Sequence, residues 1–193
     1  AHSLYLYLET LPSQKNNNDI IFVHYGDLIY NCPEAIKDYK KAVEEMNRNR
    51  DIDIIFFARP VYEKSETKRL GIFIVERNNT GLYKAKRIIE KPQDEYLIEK
   101  LAIRKNNDEN YWLANAGSYL LRVSTSLKEA IKRGIENVER GEMKEAVFSK
   151  IVDSLLQNNS INIKVYPLSK PECFEDLGTF KIWIDHWYRK FNY

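Results

Sequence analysis

The chain has 193 residues, 44% of them hydrophobic and 30% charged, which marks a globular protein long enough to bury a core without disulfide or metal staples. Thirty Lys and Arg against 28 Asp and Glu leave a formal charge of +2, and no run of basic residues forms a stripe, so composition excludes a dedicated nucleic-acid binder. No stretch approaches the ~18–20 apolar residues of a membrane span. The seven glycines, about half the usual share, form neither a GxGxxG nor a GxxxxGK[ST] loop, which excludes phosphate binding on a glycine loop within the chain as given.

Ser3–Leu11 carries Leu4, Tyr7, Leu8 and Leu11 at helical spacing and is expected to be a helix, followed by a polar loop over Pro12–Asp19. Ile20–Tyr25 is too densely apolar for a one-sided strand and suits the centre of a sheet covered on both faces. Pro33 opens a helix to about Asn49, with Pro in the first turn where its missing N–H costs nothing, and with Ala35, Ile36, Tyr39, Ala42, Val43 and Met46 as its inward stripe. Ile52–Ala58 reads as a second buried strand. Gly71–Val75 and Leu82–Ile89 form a strand pair around the turn Asn78–Gly81.

After Pro92 an amphipathic helix is expected over Asp94–Arg104, a loop over Asn106–Asn110 and a strand over Trp112–Leu121. Ser126 with Glu129 gives a capping box for a helix to about Val138. Gly141 separates it from a helix over Glu142–Leu156. Ile161–Tyr166 is a strand, and Thr179–Phe191 a closing helix that carries Trp183 and Trp187 on its core or interface side. Strands alternating with helices define an α/β domain, its helices on both faces of a mostly parallel sheet made mixed by the central pair. No repeat or linker divides residues 1–193.

Two cysteines, Cys32 and Cys173, without a signal-peptide pattern at the start, fit half-buried free thiols in a reducing cytoplasm. His2, His24 and His186 form no ligand spacing with them, and His24, inside a strand, reads as a buried structural histidine. Asp51-Ile52-Asp53 matches a DxD pattern but stands at a strand's start, where a surface turn is expected.

In open α/β sheets ligands bind at the carboxyl ends of strands. Those ends deliver Tyr25-Gly26-Asp27, Glu90-Lys91-Pro92, Asn115-Ala116-Gly117 and Asp176-Leu177-Gly178-Thr179. Each has a plain reading: a turn, a solvated strand end, a strand bulge, and a helix start capped by Thr179. In this order they resemble the sugar-phosphate nucleotidyltransferases, also called nucleotide-sugar pyrophosphorylases. The matching segments are Ile21–Asp27, Gly71, Ile89-Glu90-Lys91-Pro92, Asn115–Leu120 and Phe174–Thr179, and Ala1-His2-Ser3-Leu4 is similar to the tail of the family's base-reading motif.

The resemblance implies a Rossmann-like, mixed and mostly parallel sheet, and a reaction in which a sugar 1-phosphate attacks the α-phosphorus of a nucleoside triphosphate and releases pyrophosphate. By motif match, Asp27 and Asp176 would bind Mg²⁺, and Lys91 would neutralise the sugar phosphate. Glu90, Asn115 and Thr179 would contact the sugar, and Gly26, Gly71, Gly117 and Gly178 would let backbone approach it. The family begins with a strand and a Gly-rich loop carrying an Arg and a Lys for the triphosphate. A missing N-terminal nucleotide-binding segment of roughly 60–90 residues, about two βαβ units, is therefore expected, either upstream or on another chain. In the family fold its strands lie beside Ile20–Tyr25, whose faces and edge would otherwise stand open. The competing expectation is a non-catalytic regulatory or sugar-nucleotide-binding subunit of the same fold. A homo-oligomer fits either reading; a nucleic-acid or membrane partner fits neither.

Overall fold

A computed structural model describes residues 2–10, 19–25, 28–30, 32–77, 81–104, 110–140 and 148–176. Its strands are β1 (Ile20–His24), β2 (Leu28–Tyr30), β3 (Ile54–Val61), β4 (Gly71–Arg77), β5 (Tyr83–Glu90), β6 (Ile103–Arg104), β7 (Asn110–Arg122), β8 (Ile163–Pro167) and β9 (Phe174–Asp176). Its helices are α1 (His2–Thr10), α2 (Pro33–Arg48), α3 (Lys64–Thr67), α4 (Glu95–Lys100), α5 (Thr125–Glu139) and α6 (Phe148–Gln157). The closing helix expected from residue 179, the loop at 12–18 and the first part of the helix expected from 142 lie outside the described residues.

The main sheet runs β1-β7-β3-β8-β5-β4, and Ile72 of β4 also pairs with Ala114 of β7. That last pairing closes β7, β3, β8, β5 and β4 into a five-stranded ring, with β1 attached outside on β7. The expectation of a mostly parallel sheet is corrected here. Among the described pairings of this sheet only β3–β8 is parallel; β1–β7, β3–β7, β4–β5, β4–β7, β5–β8 and β6–β7 are all antiparallel. The physical reason is β7. Its 13 residues are long enough to serve β1 and β3 with one half and β4, β3 and β6 with the other, always running against its partner.

Helices do cover both faces. Ile54, Phe56 and Ala58 of β3 enter one apolar cluster with Leu8, Ile131 and Val152 of α1, α5 and α6. Ile55 and Phe57 enter another with Ala42 and Met46 of α2. Alternate side chains of a strand point to opposite faces, so this unbroken apolar run has a layer on each side to bury against. A third cluster sets Ile98 of α4 against Ile72 and Trp112, whose indole N–H donates to the Ile98 carbonyl at 2.8 Å.

Several local expectations shift. Ile20–His24 is an edge strand of the described sheet, not a central one: its ladder is with β7 alone, and Phe22 is 45% exposed. On α2, Ile36 is exposed while Asp38 is buried, because Asp38 accepts hydrogen bonds from Tyr30 Oη (2.8 Å), Tyr166 Oη (3.3 Å) and both the N–H and Oγ of Ser169 (2.9 Å each). The helix after Pro92 ends at Lys100, and Ile103–Arg104 pairs with β7 instead. α5 is capped by Ser124, whose Oγ accepts the Leu127 N–H, so Ser126 lies inside the helix rather than at its cap. Cys32 and Cys173 are free and half-buried, as the sequence implied; the two thiols meet, and contact with Cys32 pushes the Cys173 thiol up.

Candidate functional site

The site is built around a bulge in β7. Phe56 of β3 faces Tyr119, but Ala58 faces Asn115, so Ala116, Gly117 and Ser118 stand against the single residue Phe57. Gly117 takes a φ of +63°, a left-handed conformation that favours glycine, and its N–H donates to Asn115 Oδ1 at 3.0 Å. The bulge reading of Asn115-Ala116-Gly117 is therefore correct locally. It leaves only the amide nitrogen of Asn115 unspent in this contact. A Cβ on Gly117 would overlap the Leu28 side chain and approach Tyr25 at 2.9 Å, so glycine here also lets the start of β2 close on β7.

From this bulge the structure brings the described candidates into one line. Ile72 pairs with Ala114, so antiparallel running carries Gly71 toward Asn115. Gly71 pairs with Glu90 across β4–β5, and a Cβ on Gly71 would stand 2.8 Å from Glu90 Oε1. Lys91 follows with φ +46°, unusual for a non-glycine residue and more so before a proline. Its N–H donates to the Leu70 carbonyl (3.0 Å), and its carbonyl accepts from Gln93 Nε2 (2.8 Å). Its ammonium group is exposed and has no ion-pair partner among the described residues. On the other side, Leu28 pairs with Asp176 in the two-stranded β2–β9 ladder.

Asp27 precedes Leu28 in the chain, but Gly26, Asp27, Gly178, Thr179 and the side chain of Asp176 lie outside the described residues. Among those described, no cluster of three or more His, Cys, Asp or Glu side chains could hold a metal ion. In the β2–β9 ladder Leu28, the residue after Asp27 in the chain, stands opposite Asp176. Asp53 of the DxD motif is engaged structurally, its Oδ2 accepting the Asn162 N–H at 2.8 Å.

Two residues near the line were not singled out in the sequence for this site. His24 is exposed rather than buried. Its Nε2 lies 2.8 Å from the Leu28 carbonyl and its Nδ1 2.6 Å from Ser118 Oγ. A carbonyl can only accept, so Nε2 carries the hydrogen, and the ring spans the ends of the Tyr25–Asp27 segment. Arg59 pairs with Glu66 at 2.7 Å, and its guanidinium lies 5.8 Å from the centre of the Phe174 ring, joining β3 to β9. The only sequence signal for Arg59 was a single cation inside the apolar run Ile54–Val61. Behind β2, the Asp38 network fixes Tyr30 and the Ser169–Lys170 turn; burial raises the Tyr30 hydroxyl well above its ordinary range and pushes Tyr166 up to about 12.

No protein-family model matches the sequence, and no curated protein matches it. Solved structures match the fold, which is a mixed α/β fold shared with UDP-glucose pyrophosphorylases. The UTP-bound UGPase from Acinetobacter baumannii superposes with a TM-score of 0.66 over 98% of this chain and 55% of that one, at 12% identity. A UDP-glucose pyrophosphorylase from the same organism gives 0.63 over 95% and 53%, at 12% identity. A UDP-glucose pyrophosphorylase complexed with UDP-glucose gives 0.57 over 90% and 57%, at 16% identity. The chain thus spans about half the length of the structures it resembles. Among the described residues, no helix is long and apolar enough to cross a membrane.

Proposed function

We propose that this chain carries the sugar- and metal-binding part of a sugar-1-phosphate nucleotidyltransferase, which forms an NDP-sugar and pyrophosphate from a nucleoside triphosphate and a sugar 1-phosphate. The observation that carries the reading is the line Glu90–Gly71–Asn115–Gly117–Leu28–Asp176, drawn from four separate sequence motifs onto a fold shared with UDP-glucose pyrophosphorylases. UTP and UDP-glucose in the neighbouring structures make UTP and glucose 1-phosphate the first substrates to test.

Two anions must meet in this reaction, so the site has to hold both and oppose their repulsion. Lys91 does this for the sugar phosphate as a compact cation; its backbone hydrogen bonds to Leu70 and Gln93 fix where the side chain starts. Glu90 accepts from sugar hydroxyls beside Gly71, and Asn115 donates through its amide nitrogen. Asp27 and Asp176 would hold Mg²⁺, which supplies positive charge against the phosphates when bound. The phosphate nucleophile is already ionised, so no general base is assigned.

The triphosphate side is assigned to an N-terminal nucleotide-binding segment, upstream or on a second chain. In support, β1 has no strand on its second edge among the described residues. A groove of about 670 Å³ lies there between α1 and β1, lined by Leu4, Tyr7, Phe22 and Tyr25 among others. An apolar strand edge left open is a template for another strand.

A thermal-shift panel of nucleoside triphosphates, sugar 1-phosphates and NDP-sugars with Mg²⁺, run on the full-length protein and followed by turnover assays, tests the reading. Stabilisation by one triphosphate and one sugar phosphate, with pyrophosphate release, supports it. Binding of NDP-sugar without turnover points to the non-catalytic subunit, and stabilisation by none of these ligands overturns both.

A further inference from the structure

The far end of β5 carries charges that folding does not explain. Lys84 of β5 and Lys164 of β8 are direct cross-strand partners. Like charges set opposite one another weaken a sheet by Coulomb repulsion. Lys86, two residues along, projects from the same face and pairs with Glu76 at 2.6 Å. Glu76 also faces Lys84 across β4–β5, and Lys86, Lys84 and Lys164 together hold its carboxyl below the ordinary value. One carboxylate therefore answers three ammonium groups. Among the described residues neither Lys84 nor Lys164 forms an ion pair of its own.

Past Lys84 and Lys164 the two strands separate. Asp153 of α6 takes up the ladder's role there, accepting the Ile88 N–H at 2.8 Å and gripping Arg87 through Nε and Nη2 at 2.8 and 3.0 Å. The separation opens a cleft of about 640 Å³ under the turn that follows α6, lined by the three lysines and by Asp53, Ser160 and Asn162 among others. Asn162 Oδ1 is buried in its wall with no hydrogen-bond donor among the described residues. Buried acceptors are nearly always satisfied, so this one marks a polar wall left incomplete.

We propose that the β5–β8 cleft binds a small phosphomonoester, with the phosphate on Lys84 and Lys164 and a hydroxylated body against Asp53, Ser160 and Asn162. The three lysines outnumber the two carboxylates nearest them, Glu76 and Asp53, so positive charge is left over for a phosphate, and the cleft holds a ligand the size of a pentose phosphate. Lys84 and Glu90 are six residues apart on one strand, about 20 Å at strand rise. The cleft is thus separate from the proposed substrate line and does not depend on that reading.

The test is a titration of the ¹⁵N-labelled chain with ribose 5-phosphate, inorganic phosphate and ribose, read by amide shift changes. Ribose 5-phosphate is expected to move the amides of residues 84–86 and 159–164, with inorganic phosphate weaker and ribose inert. K84Q/K164Q, a change that relieves repulsion and so keeps the fold, is expected to bind at least about tenfold more weakly. K91Q is expected to leave these shifts unchanged. Shifts confined to residues 89–91 and 115–117, or undiminished binding by K84Q/K164Q, would overturn the site. Equal binding of inorganic phosphate would overturn the role of the polar wall.

Discussion

The Glu90 carboxylate lies over the bare Cα of Gly71, close enough that a Cβ there would stand 2.8 Å from Oε1. The neighbour is the far end of a flexible side chain, so Gly71→Ala is expected to displace Glu90 at little cost in stability. Gly117→Ala is different. It meets the Leu28 side chain and forces a left-handed φ on alanine, a conformation that costs about 1–2 kcal/mol by itself. Urea denaturation should show Gly117→Ala destabilised by more than that amount and Gly71→Ala by less. If sugar phosphate contacts Glu90, Gly71→Ala should weaken that ligand's binding, which calorimetry on the full-length protein would read.

Asp38 is 2% exposed and receives four hydrogen bonds from three residues. Asp38→Ala strands those donors, and each buried group left unsatisfied costs about 1–3 kcal/mol. A loss of roughly 2–4 kcal/mol is expected in chemical denaturation, since some donors will find water. The damage should centre on β2 and β9, because Tyr30 and the Ser169–Lys170 turn are the groups released. Hydrogen exchange at residues 28–30 and 174–176 would locate it.

Asp53 has its carboxyl held above the ordinary value of 3.8, mainly by burial and against the opposing Asn162 hydrogen bond and the nearby Arg122 charge. An acid raised in the folded state binds its proton more tightly there. Its contribution to stability is whole below the unfolded value and is lost as pH rises through the folded one. The native protein should therefore lose a stability increment above about pH 4 that Asp53→Asn does not lose. Denaturation midpoints of the two proteins, compared between pH 3 and 7, should diverge in that direction; parallel curves would refute it.

In the complete protein, Asp27→Asn and Asp176→Asn are each expected to cut NDP-sugar formation by about 10²-fold or more, the order seen when one preorganised charge is removed. Lys91→Gln should raise the KM for sugar 1-phosphate more than that for the triphosphate. Circular dichroism and melting temperature should stay near wild type. Unchanged turnover in either aspartate variant would remove the metal assignment. The 193-residue chain assayed alone is expected to show no pyrophosphorylase turnover.

Element types and the candidate motifs were largely legible in the sequence, because both depend on short spacings. The unbroken apolar run Ile54–Ala58, Pro at the first turn of α2 and the Gly71–Glu90 strand pair are local patterns that the fold keeps. Strand direction and closure were not legible. Whether β7 runs with or against β3 and β4 depends on contacts between residues 42 to 67 positions apart, from Ile72–Ala114 to Ile54–Leu121, and alternation of side chains is the same in either case. The bulge at Gly117, the burial of Asp38, the exposure of Phe22 and the facing of Lys84 by Lys164 are likewise decided by what packs or pairs opposite each residue. The sequence by itself determined which residues could form strands and helices and which motifs were candidates for a site. Only the tertiary structure decided which of them meet, since register and chain closure are properties of pairs of segments and not of either one.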